Sequence, residues 1–152
     1  MKDEHEEMVR MLNERTIEVS LPNKLGYERI AMDCSASFAS IFGFASERIE
    51  DLKTAVAEAC CNAIQHGNKG RPDTKVLVTM KFNDDFMSVF VEDEGDGISE
   101  FPKDADVLRK IEQLEPPRGL GMYLIKRLVD QVEFNEVSKV GHGVRMVIKL
   151  SS

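Results

Sequence analysis

Residues 46–67 constrain this chain more than any other stretch, because two different sets of side chains repeat there at helical spacing. Leu52, Val56, Ala59, Cys60, Ala63 and Ile64 fall on one stripe at about 100° per residue, while Glu58, Asn62, Gln65 and His66 share another. Ser46 followed by Glu47 reads as the start of the helix and Gly67 as its stop. The first stripe needs a core to pack on. The second is polar without being the charged surface expected of a solvated helix.

The rest of the chain supplies that core as short alternating segments. Residues 16–21 alternate as a strand ended by Pro22, and 74–82 and 87–92 read as a strand pair joined around Asn83, Asp84 and Asp85. Residues 27–42 carry Ile30, Ala31, Cys34, Phe38, Ile41 and Phe42 at helical spacing, with Gly43 placed to end the helix. Residues 119–129 are helical, and 132–137 with 144–150 close the chain as a strand pair turned at Val140, Gly141, His142 and Gly143. Helices thus fall between hairpin-like strand pairs rather than between every strand. This order favours an α/β (α+β) two-layer sandwich, a mostly antiparallel sheet with helices on one face.

Two regions resist this reading. Residues 1–14 mix charges with Met8, Val9, Met11 and Leu12 and fit either a short amphipathic helix or a docking arm, so 1–15 stand as an N-terminal arm or short helix before a single domain over 16–152. Residues 98–118 hold Pro102, Pro116 and Pro117 around a weakly helical centre, and an interruption of that length inside a compact domain is usually functional or mobile.

With 152 residues, 20 basic against 27 acidic groups and a pI near 5.0, the chain is expected to form one domain with no nucleic-acid or anionic-membrane surface as its main partner. Cys34, Cys60 and Cys61 lack zinc-ribbon or Cys-x-x-Cys spacing, and no long apolar run or leader-like N-terminus is present. A soluble protein of the reducing cytoplasm is the expectation. No metal-ligand pattern surrounds His5 or His142, which argues against a protein-bound transition metal.

Three short segments carry candidate chemistry. Glu58 and Asn62 lie four apart, so a carboxylate able to accept a proton and an amide oxygen able to take one position on Mg²⁺ can reach one ligand. They also fit an exposed Glu and a helix-interior Asn making local hydrogen bonds. Asp93 follows an apolar strand and precedes Gly95 and Gly97, a sharp turn that lets a flat ligand approach the backbone, with the carboxylate able to accept from an exocyclic amine. An ordinary acidic turn explains it equally well. Gly119 and Gly121, after Arg118, open a helix whose unpaired N–H groups and positive dipole end suit a phosphate, with the guanidinium alongside; a glycine needed for close packing is the alternative. No Walker loop and no dinucleotide fingerprint is present.

In order, Glu58-Ala-Cys-Cys-Asn62-Ala-Ile-Gln-His66-Gly67, Asp93-Glu-Gly95-Asp-Gly97-Ile98 and Arg118-Gly119-Leu120-Gly121 resemble the N, G1 and G2 boxes of the GHKL (Bergerat-fold) ATPases. Within that superfamily the chain looks most like the bacterial anti-sigma-factor serine/threonine kinases, from about residue 16 to 150. The resemblance implies a four- or five-stranded sheet, ATP bound beneath a lid formed by 98–118, and a set of roles. Asn62 would hold Mg²⁺, Glu58 act as the base and Asp93 meet the adenine amine. Gly95 and Gly97 would shape the base pocket, Arg118, Gly119 and Gly121 would lie near the phosphates, and His66, Ile98 and Leu120 would belong to the ATP-binding set. It implies phosphorylation of a STAS-type anti-sigma-factor antagonist, sequestration of a sigma factor, and a homodimer. One departure is visible: the family usually carries Gly-Thr near its last strand, and this chain has Gly143-Val144.

Two other functions compete with that reading. An ATP-binding regulatory module with little phosphotransfer would share every one of these residues. A detached histidine-kinase-type catalytic domain would be expected after a dimerisation helix with a phosphoacceptor histidine, for which the region before Thr16 is too short. Gyrase-like or chaperone-like ATPases would need a further transducer domain.

Overall fold

The computed structural model describes residues 8–13, 15–95, 118–138 and 141–151. Its elements are β1 (Val9–Asn13), β2 (Thr16–Pro22), α1 (Glu28–Ile41), α2 (Ser46–Asn62), β3 (Lys75–Asn83), β4 (Phe86–Glu92), α3 (Arg118–Leu128), β5 (Gln131–Ser138) and β6 (Gly141–Lys149). The six strands form one sheet in the order β1-β2-β3-β4-β6-β5, and every neighbouring pair is antiparallel.

Register decides where the core lies. Val19, Val78, Val91 and Val144 stand side by side across β2, β3, β4 and β6, followed one step along by Ile17, Met80, Val89 and Met146. Strand side chains alternate between faces, so the whole apolar set points to one side. There it meets Phe38 and Ala39 of α1, Leu52, Val56 and Cys60 of α2, and Met122 and Ile125 of α3 in a single core. The opposite face carries Glu18, Thr79, Lys81, Glu92 and Arg145. The two-layer α+β sandwich expected from the order of elements is therefore the fold. α2 is the central helix, packed against both α1 and α3.

Gly43 ends α1 as expected. At φ 85° it lets the Gly43 N–H reach the Ser40 carbonyl and the Phe44 N–H reach the Ala39 carbonyl, the Schellman arrangement, with Ala39 and Phe44 both buried.

Three expectations need correction. Residues 9–13 form a strand, not a helix. Val9 pairs with Val19, and Ser20 N–H donates to the Met8 carbonyl at 2.6 Å, so this segment covers the edge that β2 would otherwise expose. It also makes the sheet six-stranded rather than four- or five-stranded. The helix over 46–67 is α-helical only to Asn62 and continues to Gly67 as a π turn (Ala63–Gly67), in which the Asn68 N–H reaches back to the Ala63 carbonyl at 2.7 Å. Finally, β6 begins at Gly141, so His142 and Gly143 are strand residues rather than turn residues. Gly141, His142 and Gly143 pair with Ser138, Glu136 and Asn135 of β5, Gly143 also faces Glu92, and the Asp93 N–H donates to the His142 carbonyl at 2.9 Å; pairing on both sides outweighs the local turn preference of the glycines. The 98–118 segment lies outside the described residues except for Arg118.

Candidate functional site

Glu58 and Asn62 sit one turn apart near the end of α2. Glu58 is half-buried and Asn62 is 6% exposed, deep burial for an amide on a helix face. α3 brings Gly121 directly onto this pair. A β-carbon at Gly121 would stand 2.7 Å from Glu58 Oε2 and 3.3 Å from Asn62 Nδ2, so α3 comes this close because residue 121 has no side chain. The neighbouring Met122 is buried, and its Sδ accepts from Asn62 Nδ2 at 3.2 Å. A thioether is a weak acceptor, so this contact orients the amide without tying it strongly.

Asp93 follows the last residue of β4. Its Oδ1 accepts the Gly95 N–H at 3.0 Å, which closes the chain into a tight turn. The π turn widens the end of α2 and presses Gly67 against this loop. A β-carbon on Gly67 would run into the Asp93 carboxylate, and one on Gly95 would run into the Gly67 carbonyl oxygen. The sequence assigns Gly95 to the approach of a ligand; the structure adds a second steric cause, main chain resting on main chain.

Between these elements lies a small cleft, open to solvent. α2 contributes Ala59 and Asn62 to its wall, the π turn Ala63, β4 and the residue after it Val91 and Asp93, and β6 His142, Gly143 and Val144. Mostly apolar walls with one carboxylate, one amide and one imidazole suit a flat heteroaromatic group with a polar edge. The His142 ring, through Nδ1, lies 3.4 Å from the Gly95 carbonyl and so bridges β6 to the loop after β4.

The structure thus brings Glu58, Asn62 and Gly121 together, and Asp93 and Gly95 together, with Asn62 and Asp93 lining one cleft. His66 lies half-buried in the π turn and is not among the residues lining that cleft. Arg118, Gly119 and Leu120 form the first turn of α3. Gly97 and Ile98 lie outside the described residues. Val144 stands in the cleft wall opposite Val91, so the residue that departs from the family pattern is a lining residue.

His142 and Val91 were not assigned to the site from sequence. Parity was the available signal. Val144, Met146 and Ile148 occupy the core-facing positions of β6, and counting back by two puts His142 on that same face.

Cys60 and Cys61 are not poised as nucleophiles. Cys60 is fully buried and its thiol is pushed up by burial; Cys61 is pushed up to about 12, by burial and then by the carboxylate of Glu28, to which its Sγ donates at 3.6 Å. Both stay protonated at neutral pH, so neither offers a thiolate nucleophile.

Residues 21–148 match the family described as histidine kinase-like ATPase domain. The chain is similar to the serine-protein kinase RsbW of Bacillus pumilus, with 37% identity over 131 residues, 82% of this chain and 80% of that protein. The chain belongs to this ATPase family, on its RsbW branch. RsbW of Bacillus subtilis is 35% identical over 129 residues, with the same two coverages. Among solved structures, the SiaB–SiaC complex from Pseudomonas aeruginosa superposes with TM-score 0.63 at 18% identity, covering 86% of this chain and 88% of that one. The RsbU and RsbW domains of Rv1364c from Mycobacterium tuberculosis give TM-score 0.61 at 14% identity, covering 89% of this chain and 32% of that longer chain. At these identities the structural likeness speaks for the fold alone. No helix among the described residues is long and apolar enough to cross a membrane.

Proposed function

We propose that this protein binds ATP in the cleft between α2, β4 and β6 and transfers its γ-phosphoryl group to a serine or threonine of a small STAS-type anti-sigma-factor antagonist. The same protein would hold a sigma factor inactive, act as a homodimer and work in the cytoplasm. One observation carries the reading: Gly121 of α3 packs on Glu58 and Asn62, while Asp93 and Gly95 pack on the π turn that continues the same helix. Segments far apart in sequence therefore converge on one end of α2.

The residues present fit a nucleotide and Mg²⁺. Among the described residues no three His, Cys, Asp or Glu side chains cluster as a metal cage. One amide beside one carboxylate suits a cation that keeps most of its ligands as water and phosphate oxygens, as Mg²⁺ does. ATP with Mg²⁺ would supply the phosphoryl group and neutralise its charge.

The chain's own residues would then position and shield. Asp93 would accept from the exocyclic amine of the base, which would lie over Val91 and Val144, side by side on the sheet. Asn62 would present its amide oxygen to the cation, with its nitrogen held toward Met122. Glu58, one turn earlier, would orient the incoming hydroxyl and take its proton. Positioning and electrostatics supply most of the barrier reduction in phosphoryl transfer, so small displacements of these side chains should matter. A phosphorylated antagonist would bear about two extra negative charges at the contact and dissociate.

The test incubates the full chain with γ-labelled ATP, Mg²⁺ and a STAS-type antagonist carrying a serine, beside Glu58→Ala and Asn62→Ala. Label on the antagonist that disappears in both variants is expected. ATP binding without label on any antagonist would replace the kinase by a nucleotide-dependent binding module, and failure to bind ATP would sink the reading.

A further inference from the structure

Two buried asparagines lie just outside the cleft, and neither was marked by the sequence motifs. Asn68 is fully buried and Asn23 is 7% exposed. Asn68 Nδ2 donates to Asn23 Oδ1 and to the Lys75 carbonyl, both at 3.0 Å, and Asn68 Oδ1 accepts the Glu94 N–H at 2.7 Å. Asn23 Nδ2 in turn donates to the carbonyls of Arg71 at 3.0 Å and Ile64 at 3.4 Å. The partners are main-chain carbonyls on one side and a main-chain N–H on the other, so the orientation of both amides follows from the network.

This pair ties together the loop after β2, the π turn, the turn that follows it, the first residue of β3 and the loop after β4. Glu94 is the middle residue between Asp93 and Gly95, and its side chain makes a second tie by accepting the Lys75 N–H. Asn68 reaches the far side of that loop from the cleft chemistry: it lines no part of the cleft, yet it holds the residue between the two that matter there.

We infer that Asn68, braced by Asn23, is a positioning residue that fixes Asp93 and Gly95 in a binding-competent conformation before nucleotide arrives. The inference rests on the ATP reading for its effect on affinity, but the loop-holding itself can be measured without nucleotide. Without Asn68 the Glu94 N–H, the Lys75 carbonyl and Asn23 Oδ1 lose a buried partner together. The loop then opens, and nucleotide must order it on binding. That cost falls on affinity rather than on the transfer step, which Glu58 serves from the opposite side of the site.

The experiment uses the full chain with Asn68→Ala, Asn23→Ala and the double variant. In nucleotide-free protein, amide hydrogen exchange at Glu94 and Gly95 should accelerate by at least about tenfold in Asn68→Ala, with α2 and β3 core amides unchanged. For ATP, Kd and KM should rise by about ten- to a hundredfold while kcat stays within about threefold. Asn23→Ala keeps the Glu94 bond and should shift the same quantities in the same direction by less; the double variant should fall short of the product of the two effects. If Asn68→Ala does not fold, Asn23→Ala carries the test alone. Unchanged exchange at Glu94 in either folded variant would overturn the inference, as would a loss confined to kcat. Wild-type protein that fails to bind ATP would overturn the proposed function instead, leaving the exchange result to decide this one.

Discussion

Gly121→Ala separates stability from activity at this site. A β-carbon there would lie 2.7 Å from Glu58 Oε2, 3.3 Å from Asn62 Nδ2 and 3.7 Å from Glu58 Cδ. Restoring ordinary carbon–oxygen contact requires a shift of about 0.7 Å, and the atom in the way is the free end of a flexible side chain. Rotating Glu58 off its preferred geometry costs about 0.5–1.5 kcal/mol, whereas replacing glycine within a helix returns about 0.5–1 kcal/mol. The two nearly cancel. Net stability should change by less than about 1 kcal/mol, a Tm shift within about 4 °C for a domain of this size. On the role proposed for Glu58, activity should not cancel, because displacing a general base by about 1 Å can cost on the order of a hundredfold in rate. Thermal unfolding without ligand and single-turnover transfer from γ-labelled ATP to the antagonist measure the two quantities. In a Glu58→Ala background the second substitution should add nothing to the rate loss. Wild-type kcat in folded Gly121→Ala would refute the reasoning, since Glu58 would then not be held where α3 meets it.

At Gly95 the obstacle is backbone, so alanine should lower Tm by several degrees and weaken ATP binding by more than about tenfold; calorimetry showing wild-type values for both would contradict the packing of this loop on Gly67. Glu92 sits on the open face of the sheet, its carboxyl raised by burial and then by Glu18. The folded chain therefore binds that proton more tightly than the unfolded one, and stability falls as pH rises from the ordinary value of 4.5 through the raised one. Glu92→Gln should accordingly raise Tm at pH 7 and lose that advantage below the ordinary carboxylate range; an advantage independent of pH would rule out this cause. Met80, fully buried at the middle of the core register, should cost about 2–5 kcal/mol as alanine, read from denaturant unfolding.

Much of this arrangement was legible in the sequence because its signals are local. The alternation of Val76, Val78, Met80 and Phe82 marks β3 and its buried face, and Gly43 marks the end of α1 through a left-handed conformation that glycine adopts freely. Glu58 and Asn62 share a helix face because four residues make about one turn. The order of the three motifs was enough to point to the ATPase family.

Other features arise only when distant segments meet. Residues 9–13 become a strand because β2 has an edge to cover, and Gly141 to Gly143 join β6 because β5 pairs with all three and β4 with Gly143. The π turn exists where α2 runs into the loop after β4. Asn23 and Asn68 are ordinary turn residues when read along the chain; in the fold each has its amide hydrogens shared among segments up to 48 positions away. Periodicity and turn chemistry depend on neighbours in sequence and can be read there. Burial of a polar group and closeness of two backbones depend on what the fold brings across the sheet, which no local pattern specifies.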